Sequence, residues 1–196
     1  VRLHDFLEYR KFRRQAKTQH GVHSPFVFEF TRKVLLSDLV ISNFAVDRIL
    51  PLNQIVLPEY EKQLFYRILK YYKCDKVLSF IENADHKVEK FIGTQTAGTE
   101  LQPLDYQADC IFIFVRNPHA WNSLFQMYRN TLNPNSVVVI MHNHKGELHN
   151  EEWETLTARQ DVPLSIDVFN MGLLFFKTEF KEKQHFLLKE RLKKKR

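Results

Sequence analysis

The sequence predicts an α/β fold: a mostly parallel sheet with helices on both faces, closed by a C-terminal antiparallel hairpin strand and preceded by an N-terminal helical extension. Three observations predict it. Cys110-Ile111-Phe112-Ile113-Phe114-Val115 and Ser136-Val137-Val138-Val139-Ile140-Met141 are continuous apolar runs, the pattern of strands buried on both faces of a parallel sheet. Between them Trp121, Leu124, Phe125, Tyr128 and Leu132 recur at helical spacing. Farther on, 165–169 and 173–176 flank Asn170-Met171-Gly172, a hairpin signal in which Gly172 is free to take a positive φ.

The remaining elements follow in order. Leu3, Phe6, Leu7, Phe12 and Ala16 approximate one apolar helical stripe with arginines and lysines opposite, and Gly21 is expected to end that helix. Ser24-Pro25 reads as the cap and first-turn proline of a second helix through about Leu36. Residues 37–57 have no clear period. Pro58 opens a helix through Lys73, with Tyr60, Leu64, Phe65, Ile68, Leu69 and Tyr72 facing inward. A buried strand is expected at 76–81, a short helix at 85–92, at most a small strand at 99–101, helices at 119–132 and 151–159, and a last helix from Lys181 into the tail. The domain organisation expected is a helical extension over 1–57, the α/β domain over 58–188 and a basic tail over 189–196.

The chain has 196 residues, enough for one ordinary domain, with 17 phenylalanines and 5 glycines. So few glycines argue against a glycine-rich phosphate or nucleotide loop. Cys74 and Cys110 make neither a disulfide framework nor a zinc spacing, which favours a reducing compartment. No apolar run approaches the roughly 18 residues needed to span a bilayer, and no basic-then-apolar leader opens the chain, so the expected localisation is cytoplasmic. The net charge of +6 is uneven: 1–20 carry +4 and 189–196 carry +5, leaving the body at −3. No aromatic residue interleaves with the terminal basic run, so a small molecule or a protein is a better expected partner than nucleic acid.

His20-Gly21-Val22-His23-Ser24-Pro25-Phe26-Val27 and Asp167-Val168-Phe169-Asn170-Met171-Gly172, with Phe175-Phe176, His185-Phe186, His119 and Trp153, carry a resemblance. In these stretches the chain resembles class I S-adenosylmethionine-dependent methyltransferases, in a Bacteroidetes-type group with an N-terminal His-Gly-[Val/Ile]-His-Ser-Pro-Phe-Val motif. The likeness covers roughly 20–36 and 107–188. It implies a Rossmann-like methyltransferase fold and S-adenosylmethionine as the cofactor wherever the family activity is retained.

The departures fall where the resemblance places the chemistry. The turn Phe80-Ile81-Glu82-Asn83-Ala84-Asp85 has no glycine, whereas a backbone that approaches a cofactor closely needs one. Ser79, Glu82, Asn83, Asp85 and Glu100 hold vestigial cofactor positions. Arg116 stands where the family has an aspartate, Met141-His142 where it has two, and a strand with its helices is missing between Leu101 and Asp109. The implied protein is shortened and degenerate, with no cofactor expected.

Three histidines are weak catalytic candidates. His142 and His144 would share one face of a continuing strand, and His119 and His142 would meet across neighbouring strand ends as an acid/base pair. The polar loop after 141 needs no partner, however, and its spacing matches no zinc signature, so no metal is expected. His20, His23 and Ser24 read as structural, docking the first helix. Cys110, in a strand, and Cys74, at a helix end, are poor nucleophiles. The function expected is a binding or interaction module on a degenerate methyltransferase fold. The alternatives are an active methyltransferase with an atypical pocket, and a basic adaptor for nucleic acid or anionic membrane.

Overall fold

The computed structural model describes residues 3–39, 57–82, 87–94, 107–142 and 144–189. Within them, five α-helices surround one seven-stranded sheet. The strands are β1 (Lys76–Glu82), β2 (Val88–Thr94), β3 (Ala108–Phe114), β4 (Leu132–Met141), β5 (Leu164–Asp167), β6 (Met171–Phe175) and β7 (Gln184–Leu187). The helices are α1 (Leu3–Gln15), α2 (Pro25–Phe30), α3 (Glu59–Tyr72), α4 (His119–Tyr128) and α5 (Glu147–Ala158). The strand order is β2-β1-β3-β4-β6-β5-β7. The pairings β1–β3, β3–β4 and β5–β7 are parallel, while β2 on β1 and β6 between β4 and β5 are antiparallel. Five strands therefore share one direction, in an arrangement compatible with a Rossmann-like α/β fold.

Alternation along the strands sends side chains to two cores. Val77, Phe112, Val139, Ile166 and Phe175 face α2 and α3, where Phe30, Phe65 and Ile68 meet them. Leu78, Ile111, Val138, Ile140 and Leu174 face α4 and α5, against Trp121, Phe125, Trp153 and Leu156. The abundance of phenylalanine has a local reason. Phe26, Phe30 and Tyr72 close around Phe175 with ring centroids 5.5, 5.6 and 5.6 Å away. Such pairs add about 0.5–1.5 kcal/mol each beyond the area they bury.

The N-terminal helices share this core. The Ser24 hydroxyl accepts from the Val27 N–H at 3.5 Å, and Pro25 opens α2 as expected. The helix continues through a π-turn at Thr31–Leu35, where the Thr31 hydroxyl donates to the Val27 carbonyl at 2.7 Å. The first helix, in contrast, ends at Gln15 and not at Gly21, which lies in a separate 3-10 turn. Lys17 then bridges to Leu188 beside β7.

Several expectations are corrected. Residues 85–92 were expected as a helix, but Val88–Thr94 is an edge strand, paired from Lys76↔Thr94 to Glu82↔Val88. Val88, Phe91 and Ile92 fit a helical period, yet valine, phenylalanine, isoleucine and threonine are strand formers, and pairing with β1 decides between the two. The helix expected from Lys181 is replaced by β7, parallel to β5. The charged run masked a four-residue strand. Lys189, expected as the first residue of a free tail, donates its N–H to the Lys17 carbonyl at 3.0 Å.

The antiparallel hairpin strand was expected to close the sheet, but β6 lies inside it, between β5 and β4. Tyr60, expected inside, is 42% exposed. At the hairpin the positive φ belongs to Phe169, at 75°, and not to Gly172. Gly172 is required for a different reason. A Cβ built on it would come within 2.5 Å of the Trp153 indole. The small strand expected at 99–101, residues 40–56 and residues 190–196 lie outside the described residues.

Candidate functional site

The five co-directional strands deliver their carboxyl ends to one edge of the sheet: Glu82, Phe114, Met141, Asp167 and Leu187. Ligands of open α/β sheets bind at such an edge, in the crevice where the strand order reverses. Here that crevice lies between β1 and β3. The Glu82 carboxylate spans it and accepts from the Arg116 N–H at 2.5 Å.

Next along the edge is His142, which leaves β4 with φ at 62°. Its N–H donates to the Asn170 carbonyl at 2.7 Å, and its ring meets Phe114 edge-on at 5.2 Å. The Nε2 atom lies 3.8 Å from Oε2 of Glu61, a carboxylate only 3% exposed. Tyr60 donates to Oε1 of Glu61 at 2.7 Å and accepts from the Asn170 amide at 2.7 Å. Among the described residues Glu61 Oε2 has no hydrogen-bond partner. The first turn of α3 suits a carboxylate, because the unpaired N–H groups there carry partial positive charge. His142 beside Glu61 has the composition of an acid/base pair, although 3.8 Å is too long for a hydrogen bond.

The third group lies at the end of β5. On the α5 side this strand presents Ser165 and Asp167, both 1% exposed. Asp167 Oδ2 meets His144 Nε2 at 2.5 Å, and Oδ1 accepts from the Phe169 N–H at 2.8 Å. The Nδ1 atom of His144 meets Asn150 Oδ1 at 2.6 Å, so both ring nitrogens face acceptors, as an imidazolium requires. Phe169 stacks on the ring at 5.3 Å, and Phe12 of α1 closes it at 5.6 Å. Burial alone would lower the His144 pKa, but the hydrogen bond and charge of Asp167, with Asn150, outweigh it and leave the pKa above its ordinary value. His185 sits beside this pair with Nδ1 2.7 Å from the Ser165 hydroxyl. Burial lowers its pKa, against the opposing charge of Asp167. A cavity of about 290 Å³ lies over these groups, with Glu8, Lys11 and Gln15 of α1 on its far wall.

His119 stands apart from His142, its Nδ1 2.5 Å from Glu152 Oε1 at the exposed start of α4. The structure thus gives each of the three candidate histidines its own carboxylate: Glu152 for His119, Glu61 for His142 and Asp167 for His144. Ser79 is fully buried in the middle of β1, away from the strand ends. Asn83, Asp85 and Glu100 lie outside the described residues. Glu61 and Asn150 are not among the residues the sequence points to, and Asp167 stands out there only as part of the 167–172 stretch, not as the partner of His144. The signals were there: an acid in the first turn after Pro58, and polar residues at alternate positions of an otherwise apolar strand. Among the described residues no group of three or more His, Cys, Asp or Glu is placed to hold a metal ion, and no helix is long and apolar enough to cross a membrane.

The two kinds of histidine should separate in titration. Proton NMR of the imidazole signals should place His144 above the ordinary value near 6.5, and His185 and His149 below it. Stabilisation by His144 is then complete below the unfolded-state value and is lost as pH rises through its folded pKa. His185 and His149 act in the opposite sense, costing stability as pH falls from about 6.5 through their folded values. His144 titrating below His185 would contradict this geometry.

Compared with known proteins, the chain matches no family model, no curated protein and no solved structure.

Proposed function

We propose that this chain is a shortened relative of class I S-adenosylmethionine-dependent methyltransferases whose cofactor crevice has closed, and that it works as a binding module. The observation that carries this reading is the bond from the Arg116 N–H to the Glu82 carboxylate across the β1–β3 crevice. The antiparallel β6 between β4 and β5, with the hairpin 167–172 that leads into it, supports the kinship. A cavity of about 810 Å³ offers a different place for a ligand. It lies between the edge strand β7 and the 17–26 segment, with His23, Ser24, Pro25 and Phe26 of the N-terminal motif in its wall. This volume is within the range of small-molecule sites.

A thermal-shift measurement tests the reading. S-Adenosylhomocysteine at about 1 mM should stabilise the protein by less than about 1.4 kcal/mol, the value for a Kd of about 100 μM, and by roughly 0.4 kcal/mol for a millimolar Kd. For a chain of this size the smaller value is a rise of about 1 °C. A Kd of about 10 μM would instead give roughly 2.7 kcal/mol and a rise of at least about 5 °C, and the crevice would then have to be open.

A further inference from the structure

Helix α1 turns two large apolar side chains away from the protein. The reading of its sequence grouped Phe6 and Leu7 with Phe12 and Ala16, but at 3.6 residues per turn the two pairs fall on opposite sides. Phe12 and Ala16 are 7% and 4% exposed and pack on Phe169, whose ring also meets Tyr9 at 5.0 Å. Phe6 and Leu7 are 49% and 53% exposed. Arg10 follows Phe6 by one turn, and Lys11 and Arg14 follow Leu7 by one and two turns. These apolar groups therefore stand within a basic face. The Arg10 guanidinium lies 5.7 Å from the Phe6 ring centroid. Across 6–18 the exposed charged side chains are Arg10, Lys11, Arg13, Arg14 and Lys17, all cationic; Glu8 lines the cavity on the inner side, and Lys11, at the border of the two faces, reaches the cavity wall as well.

We propose that this outer face of α1 docks on an anionic lipid bilayer surface. At the level of the phosphates the arginines and lysines meet opposite charge, while Phe6 and Leu7 reach past them into the acyl boundary. Long basic side chains bend toward the headgroups and keep their charge hydrated as the apolar pair descends. A nucleic-acid backbone would satisfy the same cations but gives Leu7 no apolar surroundings. The packing of Phe12, Ala16 and Tyr9 holds the helix in place before contact, so docking requires no folding of α1.

Co-sedimentation of the full chain with vesicles tests the proposal. Vesicles with about 30% phosphatidylserine in phosphatidylcholine should bind it about tenfold or more tightly than pure phosphatidylcholine vesicles at physiological salt. The double variant Arg10→Glu/Arg14→Glu should lose about tenfold or more of that binding. Phe6→Ser/Leu7→Ser should lose several-fold, and Lys33→Glu, outside this face, should bind like the parent chain. All these positions are exposed, so circular-dichroism melting should stay within about 2 °C of the parent, Lys33→Glu losing only its exposed ion pair with Glu29. A readout that needs no loss of binding is Phe6→Trp, whose added emission should shift to the blue on anionic vesicles and stay unchanged on neutral ones. The proposal is overturned by equal binding to neutral and anionic vesicles, or by retained binding in both double variants. Unchanged Phe6→Trp emission, or binding to single-stranded RNA without binding to anionic vesicles, overturns it equally.

Discussion

Gly172→Ala should destabilise the protein by about 2–3 kcal/mol, the upper part of the range for overpacking a well-filled core. The Cβ would lie 2.5 Å from two carbons of the Trp153 indole and 2.9 Å from a third. Trp153 is 2% exposed and belongs to the α5-facing core with Ile140 and Leu174, while its other side borders the cavity of about 290 Å³. At about 2–4 °C per kcal/mol for a chain of this size, the melting temperature should fall by roughly 4–12 °C. Trp153→Phe should recover part of the loss in the double variant, because it removes the indole atoms that meet the added methyl. A coupling near zero in the double-mutant cycle would mean that the close approach does not set the cost.

Asp167→Ala should be at least as severe, about 3–5 kcal/mol, the usual cost of removing one partner from a buried ion pair. The substitution strips His144 of its carboxylate and frees the Phe169 N–H, which Asp167 Oδ1 satisfies at 2.8 Å. It also loosens the hairpin turn, since Phe169 holds its φ of 75° next to that bond. The loss should be larger at pH 5 than at pH 8, because the pKa of His144 is raised and its favourable charge is present at the lower pH. Urea denaturation at the two pH values measures both the loss and its sign. An equal loss at both would separate Asp167 from the charge of His144.

The legible part of the fold was the part whose two faces are both apolar. The runs at 110–115 and 136–141 leave no choice of face, and their partners, Trp121 and Phe125 on α4, recur at helical spacing. The misread parts are the edges. β2 and β7 are the outermost strands of the sheet, the chain there is charged or mixed, and pairing with β1 or β5 decides the structure where local pattern does not. Gly172 was singled out for the wrong property. A glycine in a turn signal invites the φ argument, while the close approach of Trp153, nineteen positions earlier, has no local trace.

The site shows the same division. Histidines stand out in a sequence, and His119, His142 and His144 were named, but the carboxylates that partner them come from α5, α3 and β5. Those partners are tertiary facts. Glu61 is 81 positions from His142, and no spacing within one element links them. That 80–85 contains no glycine is legible in the sequence, while the bond that Glu82 makes is not. That Glu82 reaches the backbone of Arg116 follows from the parallel register of β1 and β3, with Ile81 level with Phe114.

The proposed closure of the β1–β3 crevice is tested most directly by isothermal titration calorimetry of the chain at neutral pH with S-adenosylmethionine and with S-adenosylhomocysteine. With the Glu82 carboxylate bonded across β1 and β3, each ligand should bind with a Kd weaker than about 100 μM, a free energy less favourable than roughly −5.5 kcal/mol. A Kd below that value for either ligand would contradict the closed crevice.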